Sequence, residues 1–270
     1  MSFGREKIYV VTSGKGGVGK TTVTANLGAA LALLGLRVAL VDADTGLRNL
    51  DVVLGVENRV VYDSLDVARG RCRLEQALVR DKRLENLFLL PAAQRADRAA
   101  LGEDDLRKMC LELSRDFDCV LVDSPAGIEH GFRCAARAAE RAVVVTTPDV
   151  TAVRDADRVL GLLLREGQPR PWLAVNRVRP RLARSGDALS VEDVLEVLAD
   201  AELLGAVPED EGVIAGANRG SVVVQEAGSP AGRAFRNMAL RLAGEAVAPF
   251  VPEERGGLFR GILKAFGFEG

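Results

Sequence analysis

The sequence predicts an α/β fold: a single doubly wound, mainly parallel sheet with helices on both faces. Three observations predict it. Short β-rich apolar runs alternate with longer amphipathic stretches along most of the 270 residues, the signature of repeated strand–helix units. Several runs are apolar at successive positions, as a strand buried on both faces requires. A glycine-rich segment separates the first run from the first helical stretch, and such sheets bind ligands beyond the carboxyl ends of their strands.

In order, strands are expected over Ile8 to Thr12, Val38 to Asp42, Leu87 to Leu90, Val120 to Asp123, Ala142 to Thr146, Leu173 to Asn176 and Leu204 to Val207. Helical patterns lie between or after them, among them Thr21 to Leu34, Asp104 to Arg115, Thr151 to Leu164, Val191 to Leu198 and Ala231 to Leu242. The Pro-bounded, Arg-rich segment Arg179 to Ser185 reads as a solvated loop. Pro249 to Gly257, with its prolines, glycines and adjacent acids, reads as a linker. The expected organisation is therefore a body over 1–248, a linker over 249–257 and a terminal segment over 258–268.

Composition excludes several classes. With 48% hydrophobic residues the chain is no disordered polymer. Thirty-six basic against 38 acidic side chains give a net charge of −2, which is not the footprint of Coulombic attachment to nucleic acid. Aromatics at 4% argue against a base-stacking platform. No uninterrupted apolar run approaches the roughly 18 residues of a membrane span. The opening Met-Ser-Phe-Gly-Arg-Glu-Lys runs straight into a strand and is not a secretory signal. Cys72, Cys110, Cys119 and Cys134 form no C-x-x-C pair and read as reduced cytosolic thiols, which disfavours a metal-cluster carrier on the same fold.

The first strand is followed by Gly14-Lys15-Gly16-Gly17-Val18-Gly19-Lys20-Thr21-Thr22 and then a helix. This fits the phosphate-loop pattern G-x-x-x-x-G-K-[ST] in its strand–loop–helix setting. Glycines let backbone N–H groups turn toward phosphate oxygens, and the helix N-terminus adds positive potential. Lys20 is expected at the β and γ phosphates and the Thr21 hydroxyl on Mg²⁺. The second strand ends in Asp42-Ala43-Asp44 and the fourth in Asp123-Ser124-Pro125. A carboxylate at that edge orients an attacking water or acts on the shell of the metal. Asp44 is assigned to the water and, with Asp123, to the metal, and Asp42 to loop support, with Asn49 placed to approach the γ-phosphate.

The phosphate loop with its early lysine, the string Gly46-Leu47-Arg48-Asn49-Leu50-Asp51, and Asp123-Ser124-Pro125-Ala126-Gly127-Ile128-Glu129 resemble the MinD-type septum-site-determining ATPases. Arg59-Val60-Val61-Tyr62-Asp63 and Val153-Arg154-Asp155-Ala156-Asp157-Arg158 are similar too. The loop alone is shared with the wider ParA-like group, whose DNA-partitioning members are the runner-up reading. The resemblance implies ATP and Mg²⁺ as cofactors and an ATP-dependent homodimer in which Lys15 reaches the nucleotide of the other subunit. It also implies that Asn176 and Arg177 border the adenine on one side and Pro208 to Asp210 on the other. The face carrying Arg154, Asp155 and Asp157 resembles the helix on which family partners dock. A MinC-type division inhibitor is the implied partner, a MinE-type activator is left open, and no nucleic acid is expected.

At about 100° per residue, Leu258, Phe259, Ile262, Leu263 and Phe266 fall within an arc of roughly 140°, opposite Arg260 and Lys264. Such a helix is too short to span a bilayer and suits an anionic membrane surface. Burying five apolar side chains contributes at most about 8–15 kcal/mol, while ordering eleven residues costs about 1–2 kcal/mol each. One tail therefore binds weakly, and two on a dimer gain by roughly 10²–10⁴. The expected location is cytoplasmic, peripheral on the inner face of the cell membrane.

Overall fold

The computed structural model describes residues 6–45, 48–93 and 101–252. In chain order these form β1 (Ile8–Thr12), α1 (Lys20–Leu33), β2 (Val38–Asp42), α2 (Leu50–Leu54), α3 (Ser64–Ala68), α4 (Leu74–Ala77), β3 (Val79–Arg80), β4 (Leu87–Leu90) and α5 (Glu103–Asp116). There follow β5 (Cys119–Asp123), α6 (His130–Ala138), β6 (Arg141–Thr146), α7 (Val150–Arg165), β7 (Trp172–Val178), α8 (Pro180–Ser185), α9 (Val191–Val197), β8 (Glu202–Pro208), α10 (Glu211–Asn218) and α11 (Pro230–Leu242). Short 3₁₀ turns occupy Glu57–Arg59 and Val223–Gln225.

The eight described strands make one sheet, β3-β4-β2-β5-β1-β6-β7-β8. Every pairing is parallel except that of β3 with β4. The central strands β1, β2 and β5 are buried at every position, so their unbroken apolar runs serve two cores. Tyr9 and Val11 face one core, with α1 and α11. Ile8 and Val10 face the other, with α5, α6 and α7. Helix α1 is buried along almost its whole length, which accounts for the Ala and Leu run of its second half. The chain leaves β1 toward β2 on one side of the sheet and later reaches β6 on the other. This topological switch point puts a crevice at the carboxyl ends of β1, β2 and β5.

Two expectations change. Arg179 to Ser185 is not a loop: Pro180 opens α8 and Gly186, at φ 87°, closes it. Proline at the first helical position and a left-handed glycine just past the last are helix punctuation, and they outweigh an arginine-rich composition. In the stretch read as linker, residues 249–252 lie against the body. The Phe250 N–H donates to Asn237 Oδ1 at 2.8 Å, its carbonyl accepts from Ala206 N on β8 at 2.8 Å, and the Asn237 amide donates to Ala248 O at 3.0 Å. Arg233 stacks over the Phe250 ring. The expected membrane segment over 258–268, with the rest of the linker, lies outside the described residues.

Candidate functional site

The loop after β1 turns through four glycines, three of which, Gly14, Gly17 and Gly19, resist a side chain. Gly17 and Gly19 hold φ of 80° and 93°, the left-handed region that costs other residues strain. A Cβ on Gly19 would stand 2.3 Å from Asn176 Nδ2, and one on Gly14 would stand 2.2 Å from the backbone oxygen of Asp155 on α7. The loop is thus pressed against β7 and α7. Asn176, two residues before β7 ends at Val178, donates from Nδ2 to the carbonyl of Val18 at 2.8 Å. Ser13 Oγ donates to the carbonyl of Lys15 at 2.9 Å. Helix α1 starts at Lys20 with no side-chain cap, leaving the loop and first-turn N–H groups to a ligand, an anion-binding arrangement.

Three carboxylates gather at the adjoining strand ends. Asp42 and Asp123 are register partners on β2 and β5, and both are 1% exposed. Asp42 accepts from the N–H groups of Asp44 at 3.0 Å and Leu50 at 3.4 Å, tying β2 to the loop beyond it. Burial and then the charge of Asp123 push its carboxyl up to about 7. Asp123 is also pushed up by burial, against the pull of Lys20 and hydrogen bonds from Thr21 and Thr24. Asp44 is half-buried, raised by burial and pulled back by Lys20. Lys20, 8% exposed, is therefore within electrostatic reach of both Asp44 and Asp123. Asn49 is exposed at the start of α2, without a capping hydrogen bond from its side chain. Its chain neighbour Arg48 pairs with the buried Asp51 at 2.5 Å.

These residues fit Mg²⁺. Among the described residues no three His, Cys, Asp or Glu side chains converge on one metal position. A divalent cation here would depend on hydroxyl, phosphate and water oxygens with one or two carboxylates, the hard oxygen set that Mg²⁺ takes with nucleotides. The buried Asp42–Asp123 pair is the negative charge that such a cation would neutralise.

A cavity of about 320 Å³ opens beside the loop, lined by Thr22, Asn176, Arg177, Pro208, Asp210 and Ile214 among others. The two segments expected on either side of a base thus share one cavity with Thr22 of the phosphate loop. Arg177 is exposed, with φ 55°, where the β7–β8 register breaks between Val175 and Val178. The Asp210 carboxylate, however, is already engaged. It accepts from Gly212 N at 2.8 Å, Ser229 Oγ at 2.6 Å and Ala231 N at 3.3 Å. Burial would raise it, yet these bonds hold it below the usual carboxylate range. Asp210 caps α10 and anchors the start of α11, so it shapes the cavity wall by position. Ile214, 66% exposed, is an apolar lining residue that the sequence reading missed. The i, i+1, i+4 placement of Val213, Ile214 and Ala217 on one helix was the available signal.

Lys15 is exposed and donates from Nζ to Thr151 Oγ1 on the first turn of α7 at 3.1 Å. Gly16, Gly17, Val18 and Arg177 share with it a second cavity of about 240 Å³. On α7, Arg154 and Asp157 are exposed, and Asp155 pairs with Arg158 at 3.5 Å. The expected docking helix therefore packs directly on the phosphate loop through the Gly14–Asp155 contact.

A glycine loop opening a helix at the switch point of a parallel sheet, with lysine, threonines and strand-end aspartates around it, defines a P-loop nucleoside-triphosphatase. The model of the CobQ/CobB/MinD/ParA nucleotide-binding domain matches residues 9–223. The septum site-determining protein MinD of Bacillus subtilis is 49% identical over 259 residues, covering 95% of this chain and 96% of that one. Among solved structures, the MinC:MinD cell division complex of Aquifex aeolicus superposes with a TM-score of 0.84 at 45% identity, covering 93% of this chain and 100% of that one. MinD of Pyrococcus horikoshii, solved with Mg-ADP, gives 0.79 at 32% identity, covering 87% and 95%. The chain belongs to the MinD family of septum site-determining ATPases.

Proposed function

We propose that this chain is an ATP-dependent, dimerising ATPase that positions the division septum by carrying a division inhibitor on the membrane. The observation that carries the reading is the Lys20–Thr21–Asp44–Asp123 constellation beside a base-sized cavity, in a chain half identical to MinD. Gly14 to Thr22 surround the phosphates with backbone N–H groups, and Lys20 meets the β and γ phosphates. Thr21 holds Mg²⁺ by its hydroxyl, with Asp44 and Asp123 close by. When bound, the cation offsets charge on the phosphate oxygens. Asp44, half-buried and within the field of Lys20, orients the attacking water. Asn49 approaches the γ-phosphate, while Asn176, Arg177, Pro208 and Asp210 enclose the adenine.

In the dimer, Lys15 exchanges its Thr151 contact for the phosphates of the second subunit, where a cation stabilises charge developing in the transition state. Hydrolysis removes the bridging γ-phosphate and separates the subunits. The partner is of the MinC type, the protein named in the Aquifex complex; a MinE-type activator is compatible with the same α7 face.

No described helix is long and apolar enough to cross a membrane. Attachment is assigned to the amphipathic stretch with Leu258, Phe259, Ile262, Leu263 and Phe266 inward and Arg260 and Lys264 toward headgroups. The test is sedimentation with vesicles containing anionic phospholipid. The full chain should pellet with a slowly hydrolysed ATP analogue and stay in the supernatant with ADP, and a chain ending at Arg255 should dimerise yet not pellet. Equal pelleting with either nucleotide overturns the reading, and salt-sensitive DNA retention in its place would favour the partition-ATPase alternative.

A further inference from the structure

We propose that Thr24 is a positioning residue for hydrolysis: its hydroxyl fixes the Asp123 carboxylate, which in turn orients the Thr21 hydroxyl toward the divalent cation. The inference rests on the reading of Thr21 as a cation ligand. Thr21 and Thr24 are three residues apart on α1 and therefore share a face, the face turned to the end of β5. Thr24 is fully buried. Its Oγ1 lies 3.0 Å from Asp123 Oδ1, across 99 residues of sequence, and 3.1 Å from the carbonyl of Lys20 one turn back.

A buried helical threonine is ordinarily satisfied by that carbonyl alone. Here the single hydroxyl proton has a charged acceptor as well, and hydrogen bonds to ionised groups are the stronger ones. The Thr21 hydroxyl also acts on that carboxylate, in the direction that favours its ionised form. A hydroxyl that gives its proton to a carboxylate keeps both lone pairs for a cation, which is how a neighbouring acid directs a metal ligand. Asp123 is the last residue of β5, so its side chain stands where the sheet ends and a second contact from α1 fixes its direction. A residue four positions beyond the phosphate-loop lysine thus decides which way the Thr21 oxygen presents itself.

The test uses the full chain and ADP, so that no turnover is needed. Calorimetric ADP affinity is measured in EDTA and across a Mg²⁺ titration for wild type, Thr24→Val and Thr24→Ser. Thr24→Val keeps the shape and removes the hydroxyl. It should need about tenfold more Mg²⁺ for half the gain in ADP affinity, with the EDTA value within twofold of wild type. Thr24→Ser should follow wild type, and Thr24→Val should add nothing in an Asp123→Asn background. Coincident wild-type and Thr24→Val curves overturn the proposal, as does an equal loss in EDTA, which marks a purely structural residue. A wild-type chain whose ADP affinity ignores Mg²⁺ overturns the cation reading itself, and the inference with it.

Discussion

Asn176, two residues before the end of β7, grips the phosphate loop by donating its amide to the carbonyl of Val18, 158 residues earlier, at 2.8 Å. The side chain that lines the base cavity is also a strut of the loop. Base and phosphate recognition therefore share one residue, and its loss should be felt at both ends of the nucleotide.

Asn176→Ala should weaken ADP and inorganic triphosphate binding alike, by about tenfold or more, because the Val18 carbonyl would be left buried without its partner. That deficit is worth about 1–3 kcal/mol. Calorimetry with the two ligands checks it; a loss confined to ADP would limit Asn176 to the base.

Asp42 makes the nucleotide-free protein pH-sensitive. Its carboxyl titrates near 7 in the folded chain against 3.8 when unfolded, so the folded state binds more protons between those values. Stability should accordingly fall as pH rises from about 4 to 7, by on the order of 2–4 kcal/mol. Urea midpoints at pH 5 and pH 8 measure this, and Asp42→Asn should shrink the difference to the part that the raised Asp123 carboxyl contributes.

Asp44→Ala should bind ATP but release phosphate at least about a hundredfold more slowly, since a positioned base contributes roughly 10²–10⁴. The variant should persist as an ATP-bound dimer in analytical ultracentrifugation. Normal phosphate release would remove Asp44 from the reaction.

Lys15→Ala should retain ADP affinity within about threefold, because in the single chain its ammonium meets Thr151 and the phosphates are left to the backbone and Lys20. It should fail to dimerise with ATP and lose turnover, which sedimentation velocity and phosphate release test together.

Much of this site is legible in residue types alone. The phosphate loop is read from its glycines, of which Gly14, Gly17 and Gly19 resist a side chain, and Asp42 and Asp123 are marked because they end apolar runs, with Asp44 two residues on. The strands stand out because burial on both faces makes them uniformly apolar; β3, only two residues long, carries no such pattern. The arginines of α8 mask its proline and glycine punctuation. The Asp210 cap and the Thr24–Asp123 contact depend on residues brought together from distant parts of the chain. No local periodicity encodes them.

The clasp of Asn237 on the chain around Phe250 has a mechanical corollary. Pro252 is buried on the body, so no more than five residues, roughly 17 Å at full stretch, separate a fixed point from Leu258. With the terminal segment seated in lipid, so short a mooring keeps the β8 flank of the ATPase close to the bilayer. The lipid-bound protein would then ride in a narrow range of attitudes, and whatever docks on α7 would meet it at a nearly constant height.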